Sequence, residues 1–118
     1  MALQADFIDL ELNTFLKALI TAYSRIPWAM DKAVSGFACI FIFQLSKLSP
    51  FKCGYACSDH ASWNKAGFPS VFPYEAVTGN DNPNIHSAKD TTSVAGFSWA
   101  HSLEFAKIAV AFAYELAA

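Results

Sequence analysis

The sequence predicts an α/β layer fold for a single small domain of 118 residues. Two segments place apolar residues at helical spacing, and two shorter segments have the composition of strands. Along the chain they follow one another as strand, helix, strand and helix, an order typical of α/β layer folds.

The first predicted strand ends within residues 5–9, and a helix follows it. Asp9 or Asn13 is expected to cap this helix, because each offers a side-chain oxygen to the free amides of a first turn. The helix is expected to end near residues 24–26, since Pro27 disfavours helical geometry in the residue before it. Its predicted buried face comprises Leu12, Phe15, Leu16, Leu19, Ile20 and Tyr23.

The middle of the chain alternates between apolar and turn-forming segments. Residues 33–48 carry no charge before Lys47 and could form a further, buried strand. Residues 68–72 are predicted to form a short strand, with Pro69 confined to its start or to a sheet edge. Residues 78–84 are rich in Asn, Asp, Gly and Pro and predict a surface loop.

The last segment, residues 98–116, is predicted to be a helix with two apolar faces. Its polar stripe is narrow and consists of Glu104, Lys107 and Glu115. We therefore expect protein to cover this helix over most of its circumference.

Composition excludes several classes of function. The net charge is −2 and the basic residues are scattered, so no nucleic-acid partner is predicted. No apolar run reaches the roughly 18–20 residues that span a bilayer, and no membrane partner is predicted. The chain is 54% hydrophobic and 15% charged. This balance fits a piece of a larger core better than a free-standing domain.

The cysteines and histidines are the candidates for chemistry. Cys53 and Cys57 could form a tight disulfide, half of a zinc site, or two unrelated thiols. His60 and His101 are interpreted as structural, whereas His86 follows a turn-rich loop and is a candidate metal ligand.

No complete site follows from the residues alone. A zinc site needs three or four ligands, and no His-rich metal motif accompanies His86. A Cys–His protease through Cys57 and His86 lacks the local signatures of such enzymes. A serine-hydrolase elbow and a glycine-rich phosphate loop are also missing from the sequence.

The run CGYACSDHASWNKAGFPS, followed by NPNIHSAKDT, resembles the C-terminal part of secreted di-zinc leucyl aminopeptidases of bacteria and fungi. These enzymes form family 28 of metallopeptidase clan MH. The segment ADFIDLELNTFLKALITAYSRIPW is similar to the family's strand, helix and following loop. The resemblance implies the C-terminal part of a three-layer α/β/α zinc-exopeptidase domain, in which helices flank a mixed sheet.

The resemblance also implies roles for individual residues. Cys53 and Cys57 match a short disulfide, and Tyr55 matches a tyrosine that stabilises the tetrahedral intermediate. His86 matches a ligand of one of two zinc ions. The pocket for the substrate's N-terminal side chain is expected to be lined by Cys53, Tyr55, Cys57, Phe72, Tyr74 and Ile85. Thr78 stands where some members have an aromatic residue.

Two departures from the family pattern lead to further expectations. The other zinc ligands and the catalytic glutamate have no match in this sequence, so residues 1–118 are expected to be a partial peptidase domain without activity of its own. Residues 33–52 are expected to be an insertion foreign to the family, from a translated intron or a similar gene-model artefact.

The leading hypothesis is therefore a fragment of a secreted zinc aminopeptidase that acts on peptides with a free, leucine-like N-terminus. No signal peptide is found in this chain, and the full-length protein is expected to be extracellular. One alternative is a catalytically dead binding module derived from the peptidase fold. Another is a free-standing small α/β protein in which His86 is structural.

Overall fold

The computed structural model describes residues 1–31, 58–77 and 79–118. Within them lie three short strands and three helices. The strands are β1 (Ala2–Leu3), β2 (Ala29–Met30) and β3 (Pro73–Tyr74), and the helices are α1 (Leu10–Tyr23), α2 (His60–Lys65) and α3 (Trp99–Ala117). The candidate strand within residues 33–48 and the predicted insertion at residues 33–52 lie outside the described residues.

The sheet is mixed, with the strand order β2–β1–β3. β1 and β2 are parallel, with Ala2 opposite Ala29, and α1 connects them. β1 and β3 are antiparallel, with Ala2 opposite Tyr74. Parallel neighbours joined through a helix confirm the α/β class, and the mixed sheet agrees with the expected architecture.

The structure confirms one of the two predicted caps of α1 and places the start of the helix at Leu10. The Asp9 carboxylate accepts a hydrogen bond from the Leu12 amide at 2.7 Å, so Asp9 is the N-cap and the helix begins at Leu10. The helix ends at Tyr23, and the Ser24 amide donates to the Ile20 carbonyl at 3.0 Å. This end lies next to the predicted residues 24–26 and four residues before Pro27.

The predicted strand positions were wrong by a few residues at both sites. Residues 5–9 follow β1 without strand geometry, because Phe7 has a φ of 52° and turns the chain out of an extended path. The Gln4 amide still donates to the Phe72 carbonyl at 3.1 Å, and the Asp9 amide donates to the Ser70 carbonyl at 2.8 Å. Gln4 and Asp9 are five residues apart, whereas Phe72 and Ser70 are only two apart. The two hydrogen bonds therefore do not continue the regular strand pairing, and β3 is confined to Pro73–Tyr74.

The core lies between the sheet and the faces of α1 and α3 that meet. Its buried members are Met1, Leu3, Leu16, Ile20 and Ile108, and partly buried hydrophobic residues pack around them. Phe15 and Phe112 close one edge with ring centroids 5.7 Å apart. Four of the six residues predicted for the α1 face, from Phe15 to Ile20, are thus buried or packed against the core's edge.

Helix α3 is less covered than its sequence suggests. Ser98 caps it by accepting a hydrogen bond from the His101 amide at 3.2 Å. Along its length only Glu104, Ile108 and Ala111 are buried, whereas Val110 and Tyr114 are each 71% exposed. The described residues alone therefore do not cover most of the circumference of this helix, and Glu104 of the predicted polar stripe lies inside instead of outside.

None of the helices in residues 1–31, 58–77 and 79–118 is long and apolar enough to cross a membrane.

Candidate functional site

Three aromatic rings form a ladder that starts at the first residue of α2. The His60 ring stacks on the Phe72 ring, with centroids 4.8 Å apart and an interplanar angle of 20°. The Phe72 ring in turn lies 5.6 Å from the Tyr74 ring at 41°. Two of the predicted pocket residues, Phe72 and Tyr74, are therefore adjacent. We call His60, Phe72 and Tyr74 the aromatic ladder.

His60 is the buried end of this ladder. The residue is 3% exposed, and its backbone carbonyl accepts a hydrogen bond from the Ser70 hydroxyl at 2.8 Å. Among residues 1–31, 58–77 and 79–118, neither ring nitrogen has a hydrogen-bond partner. A buried polar group without a partner is rare in proteins, and it calls for a physical explanation.

Tyr74 is the other end of the ladder and faces carboxylates. Its hydroxyl donates a hydrogen bond to the Asp81 carboxylate at 3.5 Å. Burial, followed by the negative charges of Asp81 and Glu75, raises the pKa of the phenol to about 12. Tyr74 is therefore a neutral hydrogen-bond donor over the physiological pH range.

The segment after Tyr74, the 75–90 loop, is held by side-chain hydrogen bonds centred on Asn82. The backbone amide of Asn82 donates a hydrogen bond to the Glu75 carboxylate at 2.7 Å. The side-chain Nδ2 of Asn82 donates to the Asp90 carboxylate, also at 2.7 Å. The Asn82 side-chain oxygen accepts from the Asn84 amide at 2.9 Å. Hydrogen bonds of Asn82 thus connect Glu75 and Asp90, at the two ends of the loop, to its middle.

His86 lies at the tight turn of this loop. The Ser87 amide donates to the Asn84 carbonyl at 3.1 Å, which closes the turn. His86 has a φ of 63°, and non-glycine residues adopt this region at an energetic cost, although Asn, Asp and His do so more readily than most. Ile85 and His86 are both exposed, so the turn presents the imidazole to solvent.

An exposed imidazole fits one ligand position of a zinc site, but not a complete site. Zinc in proteins takes three or four protein ligands. Within residues 1–31, 58–77 and 79–118, no three His, Cys, Asp or Glu side chains are grouped to hold a metal ion. We therefore derive no chemical step through a metal from these residues.

A concavity that was not predicted lies beside the 75–90 loop. It has a volume of about 270 Å³, and its walls include Glu75, Asp81 and His101. The buried Nε2 of His101 has no hydrogen-bond partner among the residues that the structure describes. The predicted pocket residues Phe72, Tyr74 and Ile85 do not line this cavity.

Part of the predicted site remains untested by the structure. Cys53, Tyr55, Cys57 and Thr78 lie outside the described residues, as does Cys39. The placement of His60 against Phe72 was not predicted, because no local spacing links residues 60 and 72.

Comparisons with known proteins place these features in context. The sequence matches the model of "Peptidase family M28" over residues 4–113. It is 44% identical over 117 residues to a probable leucine aminopeptidase of Arthroderma otae, covering 99% of this chain and 27% of the relative. It is 37% identical over 111 residues to leucine aminopeptidase 1 of Fusarium vanettenii, covering 94% of this chain and 23% of that relative.

Solved structures show the same relationship. The LapA aminopeptidase of Legionella pneumophila superposes with a TM-score of 0.73 at 33% identity, over 98% of this chain and 25% of that one. LapB from the same organism gives a TM-score of 0.74 at 30% identity, again over 98% of this chain and 25% of the other. The chain spans about a quarter of the length of the relatives it matches.

Proposed function

The chain belongs to peptidase family M28, and from this premise we propose that it is part of an aminopeptidase that removes leucine-like residues from peptide N-termini. The observation that carries the proposal is the continuous segment from the aromatic ladder to His86. Phe72 and Tyr74, the two proposed pocket residues, directly precede the hydrogen-bonded 75–90 loop that carries His86, the candidate metal ligand. The relatives named leucine aminopeptidase support the choice of substrate.

In this proposal Phe72, Tyr74 and Ile85 form one wall of the pocket for the substrate's first side chain. An apolar wall favours longer aliphatic side chains, because each buried methylene contributes about 0.8 kcal/mol. Cys53, Tyr55 and Cys57 complete the wall, and Tyr55 donates a hydrogen bond to the developing oxyanion.

His86 is proposed to hold one of two zinc ions through its exposed imidazole. When bound, such ions activate water and polarise the scissile carbonyl. The turn at Asn84–Ser87 holds the backbone from which the imidazole projects, which limits the positions that the ring can reach. The loop's anchor through Asn82 then limits the movement of this ligand.

The remaining zinc ligands and the general base are proposed to come from residues beyond these 118. One histidine cannot fix two ions, so we expect residues 1–118 alone to be inactive. We propose that the complete protein is secreted and that Cys53 and Cys57 form a disulfide, which an oxidising compartment would preserve.

A segment exchange tests this function. The present chain replaces the matching residues of the Arthroderma otae relative, and hydrolysis of a leucine anilide is measured with zinc present. We expect turnover by the exchanged enzyme and none by residues 1–118 alone. A folded exchanged enzyme without turnover would contradict the proposal and favour a catalytically dead binding module.

A further inference from the structure

His60 is the one buried histidine of the described residues whose ring contacts a proposed pocket residue. It is 3% exposed and stacks on Phe72 at 4.8 Å, while Phe72 contacts Tyr74 at 5.6 Å. The mechanism proposed above assigns no part to it. It therefore needs a separate explanation.

Within the part of the chain that the structure describes, hydrogen bonding does not explain why a histidine occupies this position. Both ring nitrogens are buried and have no partner among these residues, and leaving a buried polar group unpaired is unfavourable. The hydrogen bond from Ser70 to residue 60 is accepted by the backbone carbonyl, which every residue type has. What the side chain contributes is its flat face against Phe72.

A nearly parallel stack restricts the tilt of the second ring. With an interplanar angle of 20°, rotation of Phe72 about its side-chain bonds would move it into the His60 ring. Stacked aromatic rings also attract each other beyond the contribution of the area that they bury. His60 thereby fixes the orientation of Phe72, and through Phe72 it limits the position of Tyr74.

We propose that His60 is a positioning residue that sets the side-chain preference of the peptidase by holding Phe72 in the pocket wall. This inference rests on the proposed function, because it takes Phe72 and Tyr74 as pocket residues. A wall that moves outward accepts the same small side chains but packs less closely against a leucine side chain.

The test compares three variants in the full-length protein that carries these residues. His60→Phe keeps a ring face, His60→Leu keeps bulk without a ring, and Trp63→Ala is the control on the same helix. Trp63 is 56% exposed and contacts Phe68 instead of the ladder. Steady-state kinetics on leucine and alanine anilides give the preference, and thermal unfolding verifies that each variant is folded.

We expect His60→Leu to lower the leucine-to-alanine ratio of kcat/KM by about fourfold, the equivalent of one methylene contact, mainly through KM for the leucine substrate. His60→Phe and Trp63→Ala should keep the ratio within about twofold of wild type. A His60→Leu variant with the wild-type ratio would overturn the inference, as would a His60→Phe variant that loses it.

A binding measurement can test the role of His60 even if the proposed peptidase function fails. If the wild-type protein has no turnover, calorimetric titration with L-leucine and L-alanine replaces the kinetics. Tighter binding of leucine that weakens about fourfold in His60→Leu, and not in His60→Phe, supports the role of His60 even though the peptidase proposal has failed. Absence of leucine binding to the folded wild-type protein would overturn both.

Discussion

The Asn82 side chain donates a hydrogen bond to the Asp90 carboxylate at 2.7 Å and thereby closes the loop that carries His86. The two residues flank the turn, so their bond shortens the free length of chain around the candidate ligand. Asn82 also contacts Glu75 and Asn84 through hydrogen bonds. The order of the loop thus depends on a few polar contacts near the surface.

Removing the Asp90 acceptor should loosen the loop without unfolding the domain. We expect Asp90→Ala to increase amide hydrogen exchange across residues 79–90 while the urea midpoint changes little, because the contact is exposed. Asp90→Asn keeps the accepting oxygen and is the matched control. Equal protection of the loop in the alanine and asparagine variants would argue against this anchor.

The backbone conformation at residue 86 should make a glycine variant more stable than an alanine variant. Because His86 has a φ of 63°, His86→Ala is expected to be less stable than His86→Gly by about 1 kcal/mol, since a Cβ is disfavoured in this region. Urea unfolding of the two variants measures the difference. A more stable alanine variant would contradict the observed turn geometry.

The lowered pKa of the Glu104 carboxyl predicts that the protein loses stability in acid. Hydrogen bonds from the Lys107 ammonium at 2.6 Å and from the Arg25 amide at 2.8 Å lower the pKa of this carboxyl to about 2. The folded pKa lies below the unfolded one, about 4.3. The stabilisation is therefore complete above pH 4.3 and is lost as the pH falls towards 2.

The measurement is the urea midpoint at pH 6 and at pH 3, for the wild type and for Glu104→Gln. We expect the decrease between the two pH values to be smaller in the glutamine variant. An unchanged decrease would show that other carboxylates account for the acid sensitivity.

Truncation of a buried leucine in α1 should destabilise the protein strongly, whereas truncation of an exposed leucine should have almost no effect on stability. Leu16 is 2% exposed, and Leu16→Ala should lower the free energy of unfolding by about 2–5 kcal/mol through lost burial and a residual cavity. Leu10 lies on the same helix but is 76% exposed, and Leu10→Ala should change stability by less than about 0.5 kcal/mol. Similar losses in both variants would contradict the described packing.

Features fixed by local chemistry could be predicted from the sequence. The cap at Asp9, the end of α1 before Pro27 and the start of α3 after Ser98 each depend on neighbouring residues. The family and the fold class followed from motifs and element order, and both are confirmed. The roles of the predicted site residues stay predictions.

Features that arise from distant parts of the chain could not be predicted. Glu104 lies in a polar stripe of the sequence but is buried, because the Arg25 amide and Lys107 satisfy its carboxylate. The left-handed turn at Phe7 prevents strand geometry in residues 5–9, and no turn residue marks it. The stack of His60 on Phe72 joins segments that only the fold brings together.

The proposed peptidase activity depends most directly on His86 as a metal ligand. The decisive measurement is bound zinc together with leucine anilide hydrolysis in the full-length protein that carries these residues. Wild type is compared with His86→Ala and with Lys89→Ala, an exposed control in the same loop. We predict that His86→Ala loses bound zinc and at least about a hundredfold in turnover, whereas Lys89→Ala keeps both. A His86→Ala protein with wild-type zinc content and turnover would contradict the account.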